Sequence, residues 1–385
     1  MIIYYGILDI RNMNHFFILG NHRDLSIAEL TACFDFKKMK LLDDVLLGNL
    51  ELDDAHKVIK NLGGTIKLGR LLARVTKAEV FDIMLKELIA APKTTKFNFG
   101  ISLYGKSGIN THKLGLELKT ALKKENVSCR FVTSREKTLS SVVVEQNKLV
   151  TGGREIVLIV EEQWIVIGVT EAVQDFKQLS HRDFGRPGRD DYSGMLPPKL
   201  AQIMINLARA KKSEILLDPF CGSGTIITEA MLMGYTKIYG SDLSSKARSD
   251  SKMNLDWINN EYGIDIHPEL KVIDARTLIE NYKADSIGAI VTETYLGPQR
   301  GAVNIKEVIK ELESLYSEVF KQMAIILKPK ARAVIALPFF TKTNEHVKPK
   351  LGAEFEKLDS YIYGREGQKV WREIIILQKN NASNI

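Results

Sequence analysis

Glu214 to Ala230 reads EILLDPFCGSGTIITEA. A hydrophobic run stops at Asp218, a glycine-rich turn follows, and an apolar helical pattern begins near Thr225. Strand, tight loop and helix in that order open an α/β unit whose loop faces a ligand. Gly222 and Gly224 let the backbone approach that ligand closely, and the helix start offers N–H groups without intrahelical partners. The loop is neither G-x-G-x-x-G nor G-x-x-x-x-G-K-[ST], so it favours neither a dinucleotide nor a nucleoside triphosphate.

Toward the C-terminus, strands and helices alternate. KIYGSD ends in Asp242, LKVIDA in Asp274-Ala275 and SIGAIVTE in Glu293, and ARAVIALP follows a long helix. That helix starts at Ile305 and puts Val308, Leu312, Tyr316, Val319, Phe320 and Met323 on one face. The pattern predicts a doubly wound, mostly parallel sheet. FEKLDSYIYGR and KVWREIIILQK are joined by a short Gly-containing turn, so the last two strands should be antiparallel.

Three carboxylates at successive strand ends suit one elongated cofactor, S-adenosylmethionine. Asp218 stands where its α-amino group would lie, and Asp242 where both ribose hydroxyls would. Asp274 and Ala275 would receive the adenine amino group and N1. Phe220, Gly222, Gly224 and Thr225 complete the expected cofactor-binding set. Cys221 has no base nearby in sequence and is read as loop packing. The seven histidines show no metal-ligand spacing, so no metal is expected.

Ahead of this domain the pattern changes. FFILG, LSIAELTACF, VLLGNL, DDAHKVIKNLGG and TIKLGRLLARV alternate short strands with two helices, an α+β sandwich over residues 1–75. Ser26 and Glu29 have the spacing of a capping box. Residues 76–174 hold two amphipathic helices, AEVFDIMLKELIAA and HKLGLELKTALKKENV. KFNFGISLYG reads as a strand, and CRFVTS, LSSVVVEQNKL and EIVLIVEEQWIVIGVT as β-rich. Between Thr76 and Val160 there are 14 Lys/Arg against 8 Asp/Glu, most of the chain's formal charge of +7. Such a surface is either simply solvated or binds phosphate with strong salt dependence. Residues 175–193, rich in Gly, Arg and Asp, read as a linker. Within it Asp183, Arg186 and Arg189 either brace the two domains or contact phosphate.

Three cysteines, Cys33, Cys129 and Cys221, occur without a C-x-x-C pair, which suits a reducing cytoplasmic setting. No apolar run approaches the ~20 residues of a membrane helix. MIIYYGILDI at the start reads as an extra strand or a loose leader.

DPFCGSGTIITEA resembles the first motif of Rossmann-fold methyltransferases. With SHRDFGRPGRDDYSGMLPPKLAQIMINLA before it, the chain is similar to the THUMP-containing tRNA guanosine-N2 methyltransferases. FFILGNHRDLSIAEL resembles that family's N-terminal ferredoxin-like domain, and the basic block its THUMP domain. The resemblance implies an S-adenosylmethionine-dependent enzyme acting on tRNA, at the exocyclic amine of a guanosine, position 10 in the family.

Where that family carries T-D-P-P-Y-G, this chain carries Thr292-Glu293-Thr294-Tyr295-Leu296-Gly297. A guanine amine is a poor nucleophile because its lone pair is delocalised into the ring. Accepting its N–H bonds localises that pair, and in-line positioning supplies much of the remaining rate. The resemblance makes Glu293 the acceptor; without a gap Leu296 falls at the family's aromatic position, and a one-residue shift instead makes Tyr295 the ring that stacks on the base. The Pro-Pro pair is missing and Glu293 is one methylene longer than Asp. An alternative is therefore a non-catalytic or altered-specificity RNA-binding protein that keeps the fold.

Overall fold

A computed structural model of the protein describes residues 12–92, 97–189, 195–297 and 304–381. The apolar leader at residues 1–10 lies outside them. The chain forms two compact units, Met1–Lys177 and Gln178–Ile385.

The first unit runs β1 (His15–Leu19), α1 (Arg23–Cys33), β2 (Lys38–Leu42), β3 (Val45–Asn49), α2 (Ala55–Lys60) and β4 (Thr65–Thr76). It continues through α3 (Val80–Ala90), β5 (Phe97–Tyr104), α4 (Thr111–Lys124), β6 (Cys129–Val132), α5 (Ser141–Gln146), β7 (Arg154–Glu161) and β8 (Trp164–Val173). All eight strands join one sheet in the order β2-β3-β1-β4-β8-β7-β5-β6. The boundary expected at residue 75 therefore falls at the end of a strand inside a continuous sheet. β4 pairs β1 on one side and β8 on the other, so the two N-terminal blocks share one set of backbone hydrogen bonds.

A buried polar knot spans the same seam. Lys67 of β4 donates to Glu155 of β7 and to the carbonyl of Leu139, both at 2.5 Å. Ser102 of β5 and Thr170 of β8 each donate to Glu155 at 2.6 Å. Lys67 and Glu155 are essentially inaccessible to water, so each charge depends on the other for solvation.

Two local expectations fail for identifiable reasons. LSSVVVEQNKL, read as β-rich, contains α5. The Ser140 hydroxyl accepts the Val143 N–H and starts a helical turn that the valines alone do not favour. Ser26 and Glu29 do not form a capping box, because α1 already begins at Arg23. Glu29 instead accepts the N–H groups of Gly63 and Gly64, at 2.9 and 2.8 Å, pinning the turn after α2.

The segment read as a linker is also structured. α6 (Phe176–Phe184) occupies its first half, and the division between the units falls within that helix. The second unit continues with α7 (Pro198–Leu207), β9 (Leu216–Asp218), α8 (Thr225–Leu232), β10 (Ile238–Asp242), α9 (Ser245–Tyr262) and β11 (Glu269–Val272). Then come β12 (Ile287–Glu293), α10 (Ile305–Ile326), β13 (Leu327–Phe340), β14 (Glu345–His346), β15 (Phe355–Tyr363) and β16 (Val370–Lys379).

Its main sheet has the order β11-β10-β9-β12-β13-β16-β15. Strands β11 to β13 are parallel, and β16 and β15 close the sheet as the antiparallel pair that the sequence predicts. Ile374 to Leu377 are all buried, as an interior strand requires. β15 alternates exposed charges and is the edge. α10 buries Val308, Leu312, Tyr316, Val319, Phe320 and Met323 against the sheet. Chain order runs outward in opposite directions from β9, so a crevice opens between the carboxyl ends of β9 and β12, the usual position of a ligand in such sheets.

Replacing Lys67 with Met should strip Glu155 of its counter-charge and cost about 3–5 kcal/mol. Hydrogen-exchange mass spectrometry on the full chain is expected to show lost protection in β4, β5, β7 and β8 together, partly restored in Lys67→Met/Glu155→Gln. Loosening confined to one side of residue 75 would contradict a single N-terminal unit.

Candidate active site

Everything of chemical interest in the second unit gathers at that carboxyl edge. Asp218 ends β9 and is 1% exposed. Its Oδ1 accepts the Thr292 hydroxyl at 2.6 Å and the Phe220 N–H at 3.2 Å. Burial pushes its carboxyl up to about 8, with the nearby charges of Asp242 and Glu293 adding to the shift.

The loop after Asp218 is fully tied down. Gly222 (φ +51°) and Gly224 (φ +84°) both take left-handed conformations. A Cβ on Gly224 would come within 2.9 Å of the Ser251 hydroxyl, whereas one on Gly222 would project into open space. Gly222 thus leaves bare backbone where a ligand can approach. Ser251 donates to the Gly222 carbonyl and Asn254 to that of Ser223, both at 2.7 Å, so α9 clamps the turn. Cys221 is buried and its thiol is pushed upward by that burial, so it remains a packed thiol.

Asp242 uses both oxygens locally. Oδ2 accepts the Gly222 N–H at 3.0 Å and Oδ1 the Ser244 N–H at 2.9 Å. It is half-buried, and a carboxylate with about four lone-pair positions still has capacity for a ligand. Asp274 sits at the end of the next strand but is more committed. It pairs bidentately with Arg276, at 2.5 and 3.0 Å, which holds its carboxyl below the usual range. Ala275, beside it, is buried at the start of a short 3-10 helix.

A cavity of about 720 Å³ brings most of these groups together. Phe220, Gly222, Asp242, Asp274, Ala275, Glu293 and Tyr295 all line it. A narrower recess of about 90 Å³ is lined by Asp218 and Thr225 and shares Phe220, Gly222 and Glu293 with the cavity. Gly224 lines neither and supports the loop from behind.

The segment Glu293 to Tyr295 is pinned at three points. Both the N–H and the hydroxyl of Thr294 donate to the Ala336 carbonyl, at 3.1 and 2.9 Å. The Tyr295 carbonyl accepts the Tyr316 hydroxyl from α10. Glu293 accepts a hydrogen bond on Oε1 from Nε of Arg372 in β16. Burial lifts Glu293 above the usual carboxylate range, and the Arg372 guanidinium works against that. Leu296 is buried while Tyr295 is 53% exposed, so Tyr295 is the ring presented at the cavity.

Arg372 was not singled out in the sequence, and neither were Arg182 and Glu229. Arg182 of α6 forms a buried bidentate pair with Glu229 of α8, at 2.6 and 3.0 Å. Arg186 is buried and donates to the Thr225 hydroxyl at the start of α8 and to the Arg182 carbonyl. The Thr225 hydroxyl therefore accepts one hydrogen bond from the protein, and Arg186 braces the loop helix. Arg189 is exposed and donates to the Phe184 carbonyl at 3.1 Å. Arg365 and Gln368 form the expected surface turn before β16.

In the first unit, Lys113, Lys123, Lys124, Arg130, Arg135 and Lys137 are exposed along α4, β6 and the loop that follows. Among the described residues no group of His, Cys, Asp and Glu side chains is arranged to hold a metal ion, and no helix is long and apolar enough to cross a membrane.

Residues 186–350 match the family model described as UPF0020: RMKL-like, methyltransferase domain. The chain is 32% identical over 167 residues to a tRNA (guanine(10)-N2)-dimethyltransferase of Pyrococcus abyssi, a match that takes in 42% of this chain and 46% of that protein. It thus spans a little under half the length of that relative. A probable tRNA (guanine(10)-N2)-dimethyltransferase of Methanothermococcus thermolithotrophicus is 32% identical over 115 residues, 30% of this chain and 70% of that protein. Among solved structures, TrmN from Thermus thermophilus superposes with a TM-score of 0.57 at 18% identity, covering 95% of this chain and 99% of that one, a likeness of fold.

The elevated Asp218 makes a signed prediction. A folded-state carboxyl raised above its unfolded value contributes stability at low pH that is lost as pH climbs from the unfolded value of about 3.9 through about 8. Urea unfolding of the full chain should therefore weaken between about pH 4 and about pH 8. Asp218→Asn, which keeps an acceptor without the charge, should flatten that slope and gain on the order of 1–3 kcal/mol at the alkaline end. An unchanged slope would assign the titration to another group.

Proposed function

The chain belongs to the family of the tRNA (guanine(10)-N2)-dimethyltransferases, and from that premise we propose that it transfers methyl groups from S-adenosylmethionine to the exocyclic amine of a guanosine in tRNA, with position 10 as the target. The observation that carries this reading is the 720 Å³ cavity, which joins the cofactor-type strand ends to Glu293 and Tyr295.

The residues present fit the cofactor. The bare backbone at Gly222 offers close approach, Asp242 offers a half-buried carboxylate, and Phe220 and Ile273 offer apolar walls within a volume ordinary for a small-molecule site. In this reading Asp242 holds the ribose hydroxyls and Ala275 lies beside the adenine. Asp274 reaches the adenine amine only by sharing its carboxylate with Arg276. Asp218 faces the α-amino group. S-adenosylmethionine supplies a methyl already activated on a sulfonium, so no metal is called for.

The chain's own work is then positional. Glu293 accepts an N–H of the target amine and Tyr295 stacks on the base, an interaction worth roughly 1–3 kcal/mol. The exposed lysines and arginines of α4, β6 and the following loop supply the phosphate-binding face of a THUMP-like module. The division proposed for that half is a ferredoxin-like part to residue 75 and the THUMP-like part to 174, sharing one sheet. The working compartment is the cytoplasm.

Incubation of the full chain with labelled S-adenosylmethionine and tRNA, followed by nucleoside mass spectrometry, should yield N2-methylguanosine species. Calorimetry should show Asp242→Ala weakening the cofactor more than about tenfold, or ~1.4 kcal/mol. Glu293→Gln should lose turnover while keeping cofactor affinity. A protein that binds cofactor and tRNA but leaves every nucleoside unmethylated would overturn the enzymatic reading in favour of an RNA-binding one. Replacing Lys123, Lys124, Arg130 and Arg135 with Ala should weaken tRNA binding and reduce its salt slope by about 0.9 for each phosphate no longer neutralised. Unchanged affinity would make that face merely solvated.

A further inference from the structure

We infer that Arg372 is a positioning residue of this site: its buried guanidinium grips one oxygen of Glu293 across β13 and fixes the acid, as a carboxylate, at the cavity wall. The inference rests on the proposed role of Glu293 as the amine's acceptor.

The sheet register explains the reach. Glu293 lies opposite Ala336 of β13, and Ala336 lies opposite Ile374 of β16. Arg372 is two residues from Ile374 on the same face, opposite Pro338, which is beyond Ala336 toward the carboxyl edge. The arginine side chain therefore crosses one strand and meets Glu293 where the parallel strands end.

Both members are largely withdrawn from water, with 7% and 16% of the Arg372 and Glu293 side chains exposed. Desolvating two ions is costly, and a well-packed apolar pair fills such a volume at least as stably. The neighbouring residues Ile374 to Leu377 are that apolar solution. A buried ion pair placed at the ligand edge of the sheet, its arginine two residues along β16 from an all-apolar run, points to a demand other than packing.

That demand is chemical. A carboxyl without a counter-charge, buried next to Asp218, takes up a proton and presents an O–H donor where an amine needs an acceptor. The groups that act on Glu293 come from several elements. Burial and, from β9, the neighbouring Asp218 disfavour its ionisation, and the Tyr316 hydroxyl lies near it on α10. Arg372 opposes them. Behind Arg372 stand Tyr363 and Arg365, and Lys199 of α7 lies beside Arg365.

The test compares wild type, Arg372→Met, Arg372→Lys and Arg372→Met/Glu293→Gln as full chains, each checked for folding by circular dichroism. Single-turnover methylation of tRNA at saturating S-adenosylmethionine is followed from about pH 6 to about pH 9.5. Arg372→Met should lose about tenfold or more at neutral pH and recover much of it at the alkaline end, while cofactor affinity holds. Arg372→Lys should move the acid limb back toward wild type. A loss equal at every pH, or no loss, overturns the proposal.

Infrared difference spectra of the same proteins decide it independently of activity. Beyond the buried Asp218 carboxyl common to all four proteins, Arg372→Met should show an additional protonated carboxylic acid at neutral pH that is missing from wild type and from the double variant. Absence of that band refutes the role of Arg372 even in an active enzyme. Its presence in a chain that methylates no nucleoside upholds the pairing and rejects only the guanosine-amine reading.

Discussion

The site hangs on a single buried carboxyl. Asp218 ends β9 between β10 and β12, and one of its oxygens accepts both the Thr292 hydroxyl and the Phe220 N–H. The first bond secures the loop carrying Glu293 and Tyr295, and the second sets the turn that leads to Gly222 and Gly224. Two loops that arise 74 residues apart are thereby held to a common atom. Its cost is a proton-binding carboxyl in the protein interior, a group that a cationic ligand nearby would drive toward ionisation.

Around this atom the unit replaces flexible loop by paired side chains. Arg182, Arg186 and Glu229 fasten α6 to α8, and Ser251 and Asn254 fasten α9 to the glycine turn. The loop that carries Glu293 and Tyr295 lacks consecutive prolines but is restrained by Thr294 on β13, Tyr316 on α10 and Arg372 on β16. Hydrogen bonds to three different elements here restrict the backbone that a pyrrolidine ring would restrict covalently.

The parts of this arrangement legible in the sequence are those encoded locally. A hydrophobic run ending in Asp218, Asp242 or Asp274 announces a strand end, and the spacing of Val308, Leu312, Tyr316 and Val319 announces a helix face. The cavity collects seven of the ten residues so picked out. What escaped depends on partners remote in the chain. Glu29 has the spacing of a cap but its partners are 34 and 35 residues away, and Arg372 meets Glu293 at a separation of 79. Arg182 falls in a Gly- and Asp-rich stretch whose composition mimics a linker, and only burial against α8 reveals its use, whereas for Arg186 a bracing role is one of the two readings the sequence allows. The division expected at residue 75 falls inside one sheet, and nothing local in TIKLGRLLARVT tells a strand that ends a domain from one hydrogen-bonded on both sides.

β16 lies between β13 and β15 and pairs with both. During folding, β15 has no sheet to join until β16 is in place, and the flank of β13 that β16 covers stays open until then. Covering that flank thus requires a strand that comes after β15 in the sequence, which adds to the contact order of the unit. The same strand delivers Arg372 to Glu293. A half-folded unit with its β13 edge bare therefore has an uncompensated acid at its centre, so completing the sheet and arming the site are one event.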